Sequence, residues 1–465
     1  MKIVTILCAS LLTAAAFAEE LVIDDFRNFE GKDWKPNQNG KVEKTEGGVR
    51  IRTAGAGGVT RYLPKNRRER GDWDRKYNGV AFKVKGCGSD DYSSITLVLD
   101  YNLPFRWYFP LKNTEWQEYR VHFSDFTPVR PFVLQISSLP GNLPISALRG
   151  IAFGDDWKST HNNAKRKPLS FEIADLRLIS DAEPRFEIGK YQVTSLDSVK
   201  KRMKAGEKVK ILSLGDSITA GTGLKPADGI RWADVTGQIL REKYGFQGVT
   251  MKSFAVGGAH SWDVVAWLNR DFEEIPDLVT FMCGYNDFSS GMHPEVYRYF
   301  LTLLIERITA LSKGKTAIVL FTPIPGCGPR YNAHDVYAQT VRDVAEKYGV
   351  ACFDLNAIFK KAFTVQTIDS AFNDMAHPNQ EGHRLIAEKL AEFLSKESVS
   401  HTGHTGTISS SNPQKSTLFR SLRLEKGRAK CYRKAAEALV RGFSTVFLTT
   451  ERRSDAAASC GQIYM

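Results

Sequence analysis

The hydrophobic rhythm of this chain changes once, near residue 200, and the change splits the fold in two. Up to Ile179 the apolar residues recur at every second position. Val80, Phe82 and Val84 alternate with Ala81, Lys83 and Lys85; Ile95, Leu97 and Leu99 repeat the period, as do Tyr119, Val121 and Phe123, and later Phe171 and Ile173. A period of two belongs to strands with one buried face. Gly, Pro, Asn and Asp clusters punctuate these runs, and many short strands without a helical period predict a β-sandwich. From Val209 onward the rhythm is different. Apolar runs at Val209–Leu214, Val249–Val256, Leu278–Cys283, Ala317–Phe321 and Val350–Phe353 are separated by helical segments, among them the one carrying Trp232, Val235, Ile239 and Leu240, then Pro294–Leu311, Asp335–Tyr348 and Gln380–Leu394. Strands alternating with helices predict a parallel sheet covered on both faces. Such sheets carry their reactive groups in loops beyond the carboxyl ends of the strands.

The ends of the chain read differently from its body. Lys2, the apolar stretch Ile3–Phe17 and the small-x-small sequence Ala16-Phe17-Ala18 have the form of a secretory signal peptide. The expected division is a signal peptide at 1–18, a β-sandwich at 19–183, a linker at 184–207, an α/β domain at 208–396 and a basic, mobile tail at 397–465. The expected location is secreted or periplasmic. The apolar leader is too short to span a bilayer comfortably, so no stable membrane insertion is expected. The tail from Val399 holds eleven Lys/Arg and four Asp/Glu, a net +7, which leaves only +5 of the chain's +12 for the rest. Charge therefore gives little reason to expect nucleic acid as a partner. Cys87, Cys283, Cys327, Cys352, Cys431 and Cys460 contain no CxxC, which argues against a zinc site or a disulfide-dense scaffold. The chain carries no signature of a particular oligomeric state.

Four separated segments carry chemistry. Gly215-Asp216-Ser217-Ile218-Thr219-Ala220-Gly221 follows the first apolar strand, where a serine at a strand-to-helix turn exposes its hydroxyl and nearby N–H groups face developing negative charge. Ala255-Val256-Gly257-Gly258-Ala259 follows the second, and its glycines let backbone approach a reacting group closely. Gly284-Tyr285-Asn286-Asp287 closes the third; an Asn amide offers N–H donors to an oxyanion, while Asp287 reads as a helix or loop cap. In Asp374-Met375-Ala376-His377-Pro378, an acid three residues before a histidine can orient an imidazole that takes a proton from a serine. Each segment alone is more often structural. Their order, each after an expected strand or in the last loop, is not.

Together these blocks resemble those of the SGNH hydrolases, a branch of the GDSL esterases, over roughly Lys208 to Leu394. The resemblance implies a flavodoxin-like three-layer α/β/α domain preceded here by the jelly-roll-like sandwich. It implies Ser217 as nucleophile, His377 as general base, Asp374 as its orienting partner, and Gly258 and Asn286 with the Ser217 N–H as the oxyanion hole. It requires neither cofactor nor metal. Ile218 stands where the family name has Leu. The second block lacks the Asn often found a few residues before its glycine, and Ser253 lies near that place.

The sandwich resembles carbohydrate-binding modules in pattern only. It carries five of the eight tryptophans, Trp34, Trp73, Trp107, Trp116 and Trp157, which either pack its core or stack on sugars. Asp24-Asp25 and Asp155-Asp156 read as calcium ligands or solvated turns. The combination predicts an exported serine esterase acting on a polysaccharide or an acylated small molecule, most simply a polysaccharide deacetylase. The alternatives are a lipase, lysophospholipase or thioesterase, and a glycan-binding surface protein with an inactive hydrolase domain. The self-contained pattern of residues 19–179 also predicts a sandwich that folds alone.

Overall fold

The computed structural model describes residues 19–396 apart from 28, 30, 64–69, 101–103, 130–142, 156–167, 227–228 and 273. The leader, the tail, Trp157, Asp156, Cys431 and Cys460 lie outside the described residues.

The first part is built from strands β1 (Glu20–Asp24), β2 (Trp34–Lys44), β3 (Val49–Tyr62), β4 (Gly79–Lys85), β5 (Tyr92–Leu99), β6 (Pro104–Pro110), β7 (Gln117–His122), β8 (Thr127–Pro128), β9 (Leu148–Asp155) and β10 (Leu169–Ile179), with one short helix, α1 (Trp73–Lys76). The hydrogen-bonded order is β7-β4-β10-β3-β9-β5-β6-β8, with β1 beside β10 and β2 beside β3. The pairings are antiparallel. Strand β3 turns the corner between layers: Val49–Thr53 pair with β10, and Gly57–Tyr62 pair with β9. Glycine is needed at that corner. A Cβ on Gly58 would lie 2.4 Å from the Phe153 carbonyl oxygen, and one on Gly154, at φ +142°, would lie 2.4 Å from Gly57 O. The alternating residues close the core between the layers, where Phe82 of β4 packs on Phe109 of β6 and Phe153 of β9 at ring separations of 5.6 and 5.4 Å. This is a β-sandwich, as the period of two predicts.

The second part holds five parallel strands, β11 (Val209–Gly215), β12 (Val249–Ala255), β13 (Leu278–Met282), β14 (Ala317–Phe321) and β15 (Ala351–Phe353), in the order β12-β11-β13-β14-β15. The helices are α2 (Leu196–Lys204), α3 (Ser217–Ala220), α4 (Trp232–Glu242), α5 (Ser261–Asp271), α6 (Tyr285–Ser289), α7 (Pro294–Leu311), α8 (Asp335–Tyr348), α9 (Leu355–Ala362) and α10 (Gln380–Ser395). Strand alternation sorts the core into two faces. Leu212, Leu214, Val279, Phe281, Ile318 and Leu320 pack under α5, α7 and α8, whereas Val209, Ile211, Val319 and Phe321 pack under α2, α4, α9 and α10. The result is the three-layer, flavodoxin-like arrangement. The strand order reverses at β11, so the loops after β11, β12 and β13 open at one crevice.

The segment 184–207, expected as a linker, is mostly exposed but is anchored to the α/β domain by α2. Val199 and Met203 of α2 are buried in the same core as the parallel strands, and Thr194 bridges to Ala317. The sandwich is likewise joined to the α/β domain rather than strung beside it. Tyr108 and Val129 belong to the apolar cluster under α5 and α7. The fully buried Arg307 guanidinium of α7 donates to Thr127 Oγ1 at 2.5 Å, to Ser124 O at 3.1 Å and to Phe126 O at 2.9 Å. On the sandwich side the buried Asp125 carboxylate accepts from Arg185 N at 3.0 Å. The sequence pattern implies independence because alternation reports only which side of a strand is buried, not what else its rim touches.

Among the described residues no helix is long and apolar enough to cross a membrane. Cys87, Cys283, Cys327 and Cys352 are free thiols.

Candidate active site

β11 delivers Gly215 to the sheet edge, and the chain turns at once into the short helix α3. Asp216 starts it, its carboxylate accepting from Ile218 N at 3.0 Å, and Gly221 ends it in the left-handed region. Ser217 is the first residue of that helix and 8% exposed. Its hydroxyl lies 2.9 Å from His377 Nε2. The other ring nitrogen, Nδ1, is 2.8 Å from Asp374 Oδ2. The second carboxylate oxygen of Asp374 accepts from Ala376 N at 2.7 Å and His377 N at 2.8 Å, which fixes the loop between acid and histidine. Burial pushes the Asp374 carboxyl up, but the His377 hydrogen bond and the two backbone donors outweigh it, so the group sits below its ordinary value. Asp374 is thus a firm anion facing a histidine that faces a serine.

The other two blocks converge on the same edge. Gly258 lies at φ +72° in the turn between β12 and α5. Gly284, at φ +128°, turns the chain out of β13 into α6; a Cβ there would sit 3.1 Å from Pro323 and from the Tyr297 hydroxyl. Asn286 follows on α6, and its amide donates one N–H to Ala259 O at 2.9 Å. The second amide N–H is left for another acceptor. Asp287 is fully buried and accepts from Ser261 N at 3.0 Å and from Ser261 Oγ at 2.6 Å. It therefore caps α5, not its own helix. Asn286 and Asp287 together clamp the glycine turn to the end of β13.

Two buried carboxylates consequently stand behind the serine. Desolvation lifts Asp216 to about 7, against the Ile218 N–H and with help from Asp287. Desolvation also lifts Asp287, against His260 and Ser261. Ser253, near the place of the missing Asn, points its hydroxyl at Thr219 O, 3.4 Å away.

All five residues expected from the sequence, Ser217, Gly258, Asn286, Asp374 and His377, thus fall in loops or short helices on one edge. Sequence reasoning missed Tyr285 and Arg330. The Tyr285 hydroxyl accepts from Arg330 Nη1 at 2.8 Å and donates to Met375 O at 3.1 Å. No local pattern marks either residue, because their partners lie in other loops.

Away from this edge, Trp34 and Trp107 are core residues, and Trp73 and Trp116 are half-buried. The Asp24 carboxylate is occupied by Phe26 N, Trp34 Nε1 and Arg61 Nε at 2.8–2.9 Å, so the calcium reading of that acid gives way to a structural one. Among the described residues no group of three or more His, Cys, Asp or Glu could hold a metal ion.

The sequence model of the GDSL-like Lipase/Acylhydrolase family matches residues 213–385. No curated protein matches the chain significantly. Among solved structures, an acetylxylan esterase from Geobacillus stearothermophilus is similar at 23% identity and a TM-score of 0.36, covering 42% of this chain and 97% of that one. An alpha/beta hydrolase enzyme from the metagenome of Lake Arreo, Spain, is similar at 24% identity and a TM-score of 0.37, covering 42% of this chain and 100% of that one. An acetyl xylan esterase, AlAXEase, gives 20% identity, a TM-score of 0.35, and 40% and 99% coverage.

Proposed function

We propose that this chain, whose parallel-sheet domain is an SGNH/GDSL-type acylhydrolase domain and which is a carboxylic ester hydrolase, works as an exported serine esterase that removes acetyl groups from a polysaccharide. The observation that carries the mechanism is the unbroken line Asp374–His377–Ser217, with hydrogen-bond distances of 2.8 and 2.9 Å. Ser217 Oγ attacks the ester carbonyl carbon while His377 Nε2 takes its proton. The tetrahedral oxyanion is held by the free N–H of the Asn286 amide and the backbone N–H groups of Gly258 and Ser217. As the C–O bond to the sugar breaks, His377 returns the proton to the leaving alcohol. A water then attacks the acyl-serine, its proton passing to His377, and acetate leaves with Ser217 restored. Asp374 holds the imidazole with Nδ1 protonated throughout, so Nε2 is the basic nitrogen.

The polysaccharide part of the reading rests on the sandwich. Its half-buried Trp116 lines an open cleft with Asp25, Arg27, Lys83, Glu118 and Asp175. A ring face beside charged hydrogen-bonding groups is the chemistry that recognises a sugar. Export rests on the leader sequence, residues 1–18, which lie outside the described residues.

The test is acetate release by the mature protein from acetylated glycans, run beside soluble acyl esters of increasing chain length. The reading expects acetylated glycan to be the best substrate and Ser217→Ala to be inert. Faster turnover of long-chain esters would replace it with a lipase-type activity.

A further inference from the structure

The loop bearing the acid and base is tied internally by the Asp374 carboxylate and by the pair Phe372–Pro378, and Asn373 N donates to His377 O at 2.8 Å. Beside a Cys327 Sγ contact to Asp374 O at 3.5 Å and an Asn373 Nδ2 bond to Gly223 O at 3.2 Å, the Met375 carbonyl ties its middle to the rest of the domain. That oxygen accepts from the Tyr285 hydroxyl at 3.1 Å and from Cys327 N at 3.3 Å. Tyr285 is the residue before Asn286, so one side chain and its neighbour reach the general-base loop and the oxyanion site from the same turn of α6.

Tyr285 is well placed to hold that contact. Its ring is 7% exposed and packs against the fully buried His334 ring at a centroid separation of 4.6 Å. Arg330 Nη1 donates to its hydroxyl at 2.8 Å, which occupies an oxygen lone pair and directs the phenolic hydrogen away, toward Met375 O. A cationic donor on a hydroxyl also makes that hydroxyl a stronger donor in turn. Burial pushes the phenol above its ordinary value while Arg330 opposes, and the phenol stays up, so it remains a neutral donor at the pH of ester hydrolysis.

We infer that Tyr285, oriented by Arg330, is a positioning residue that locks the Asp374–His377 loop onto the Asn286 turn, setting the general base and the oxyanion donor in one frame. The inference rests on the reading of His377 as the base for Ser217. It predicts a loss in the chemical step rather than in substrate binding, since neither side chain is assigned a contact with the substrate.

The experiment compares Tyr285→Phe, Arg330→Met, the double variant and Ser217→Ala on one small acetyl ester. Active sites are counted by a serine-directed phosphonate, so that kcat is expressed per competent site. Tyr285→Phe keeps the ring on His334 and is expected to lower kcat about 10-fold, the size of one hydrogen bond, with KM within about 2-fold. Arg330→Met is expected to lower kcat by less. The double variant is expected to match Tyr285→Phe alone, because both act through the Met375 contact. Arg330→Lys, which keeps the donor, is expected to recover most of the Arg330→Met loss. An unchanged kcat in Tyr285→Phe, or a KM rise with kcat preserved, overturns the positioning role. Multiplicative losses in the double variant overturn the link to Arg330. Retained activity in Ser217→Ala overturns the underlying serine mechanism instead, so the two failures are separable. A lowered melting temperature with normal kcat per titrated site assigns Tyr285 to stability alone and also overturns the inference.

Discussion

Arg307 and Thr127 stand 180 positions apart and meet at 2.5 Å, guanidinium to hydroxyl, where the α/β domain rests on the sandwich. Desolvation lowers the Arg307 pKa to about 10, with Tyr299, Asp125 and Glu306 opposing, so the group is a buried cation at neutral pH. Replacing it by methionine keeps the volume but strands Thr127 Oγ1 and the carbonyls of Ser124 and Phe126. Arg307→Met is expected to cost about 1–3 kcal/mol, the range for leaving buried acceptors unsatisfied. Thermal unfolding would read the loss, and an unchanged melting temperature would make the joint superficial.

The proposed serine mechanism predicts different losses at Ser217 and Asn286. Ser217→Ala is expected to abolish ester hydrolysis with an unchanged circular dichroism spectrum. Asn286→Ala removes one donor and its clamp on Ala259 O, and is expected to lower kcat about 10²–10³-fold. Steady-state kinetics on a soluble acetyl ester measures both. Equal losses in the two variants would overturn the reading of Asn286 as one oxyanion donor among several.

The carboxyl of Asp216 sets a pH dependence of stability. Its folded pKa of about 7 lies above the ordinary 3.8, so the folded chain holds a proton the unfolded chain has released. The stability this contributes is present below 3.8 and is lost as pH rises through about 7. Asp216→Asn retains an oxygen to accept from Ile218 N and removes the titration. The variant's melting temperature should therefore fall less than the parent's between pH 4 and 7, and exceed it at pH 8. Parallel melting curves across that range would show that Asp216 does not titrate in the fold.

The sandwich cleft is tested without touching the active site. Trp116→Ala is expected to weaken retention on insoluble acetylated glycan while leaving kcat on a small soluble ester unchanged. Pull-down on that glycan would measure the first and an ester assay the second. Undiminished retention would place glycan contact elsewhere on the chain.

The convergence of the candidate site was legible from the sequence because its groups are written locally. Asp374 and His377 are three residues apart in one loop, and Ser217, Gly258 and Asn286 each follow an apolar run whose continuity marks a buried strand. The helices Pro294–Leu311 and Asp335–Tyr348 were legible for a similar reason, being long, amphipathic and bounded by turn residues. What stayed hidden is what crosses between segments. Asp287 reads as a helix or loop cap, but nothing in the sequence tells that the helix it serves begins at Ser261, 26 positions away. Tyr285 reaches Met375 across 90 positions, and Asp24 looks like a free ligand until Trp34 and Arg61 are folded onto it. Such pairs leave no period in the chain, since each partner alone obeys the pattern of its own element.

Helix α5 belongs to the hydrolase half, but its last turn bears on the sandwich. Its first residue, Ser261, is gripped by Asp287 beside the glycine turn, and near its last turn Asn269 Nδ2 donates to Tyr108 O at 2.5 Å while the Arg270 guanidinium lies over the Tyr92, Tyr108 and Trp267 rings. Eleven residues of helix span about 16 Å, a rigid rod between the two. The halves are consequently poor candidates for shuffling. A recombination within 184–207 that brought in a foreign sandwich would leave α5 and α7 facing a surface not shaped for Asn269, Arg270 and Arg307, and the misfit would reach the glycine turn through the rod. Lineages descending from this chain are expected to inherit sandwich and hydrolase as one piece.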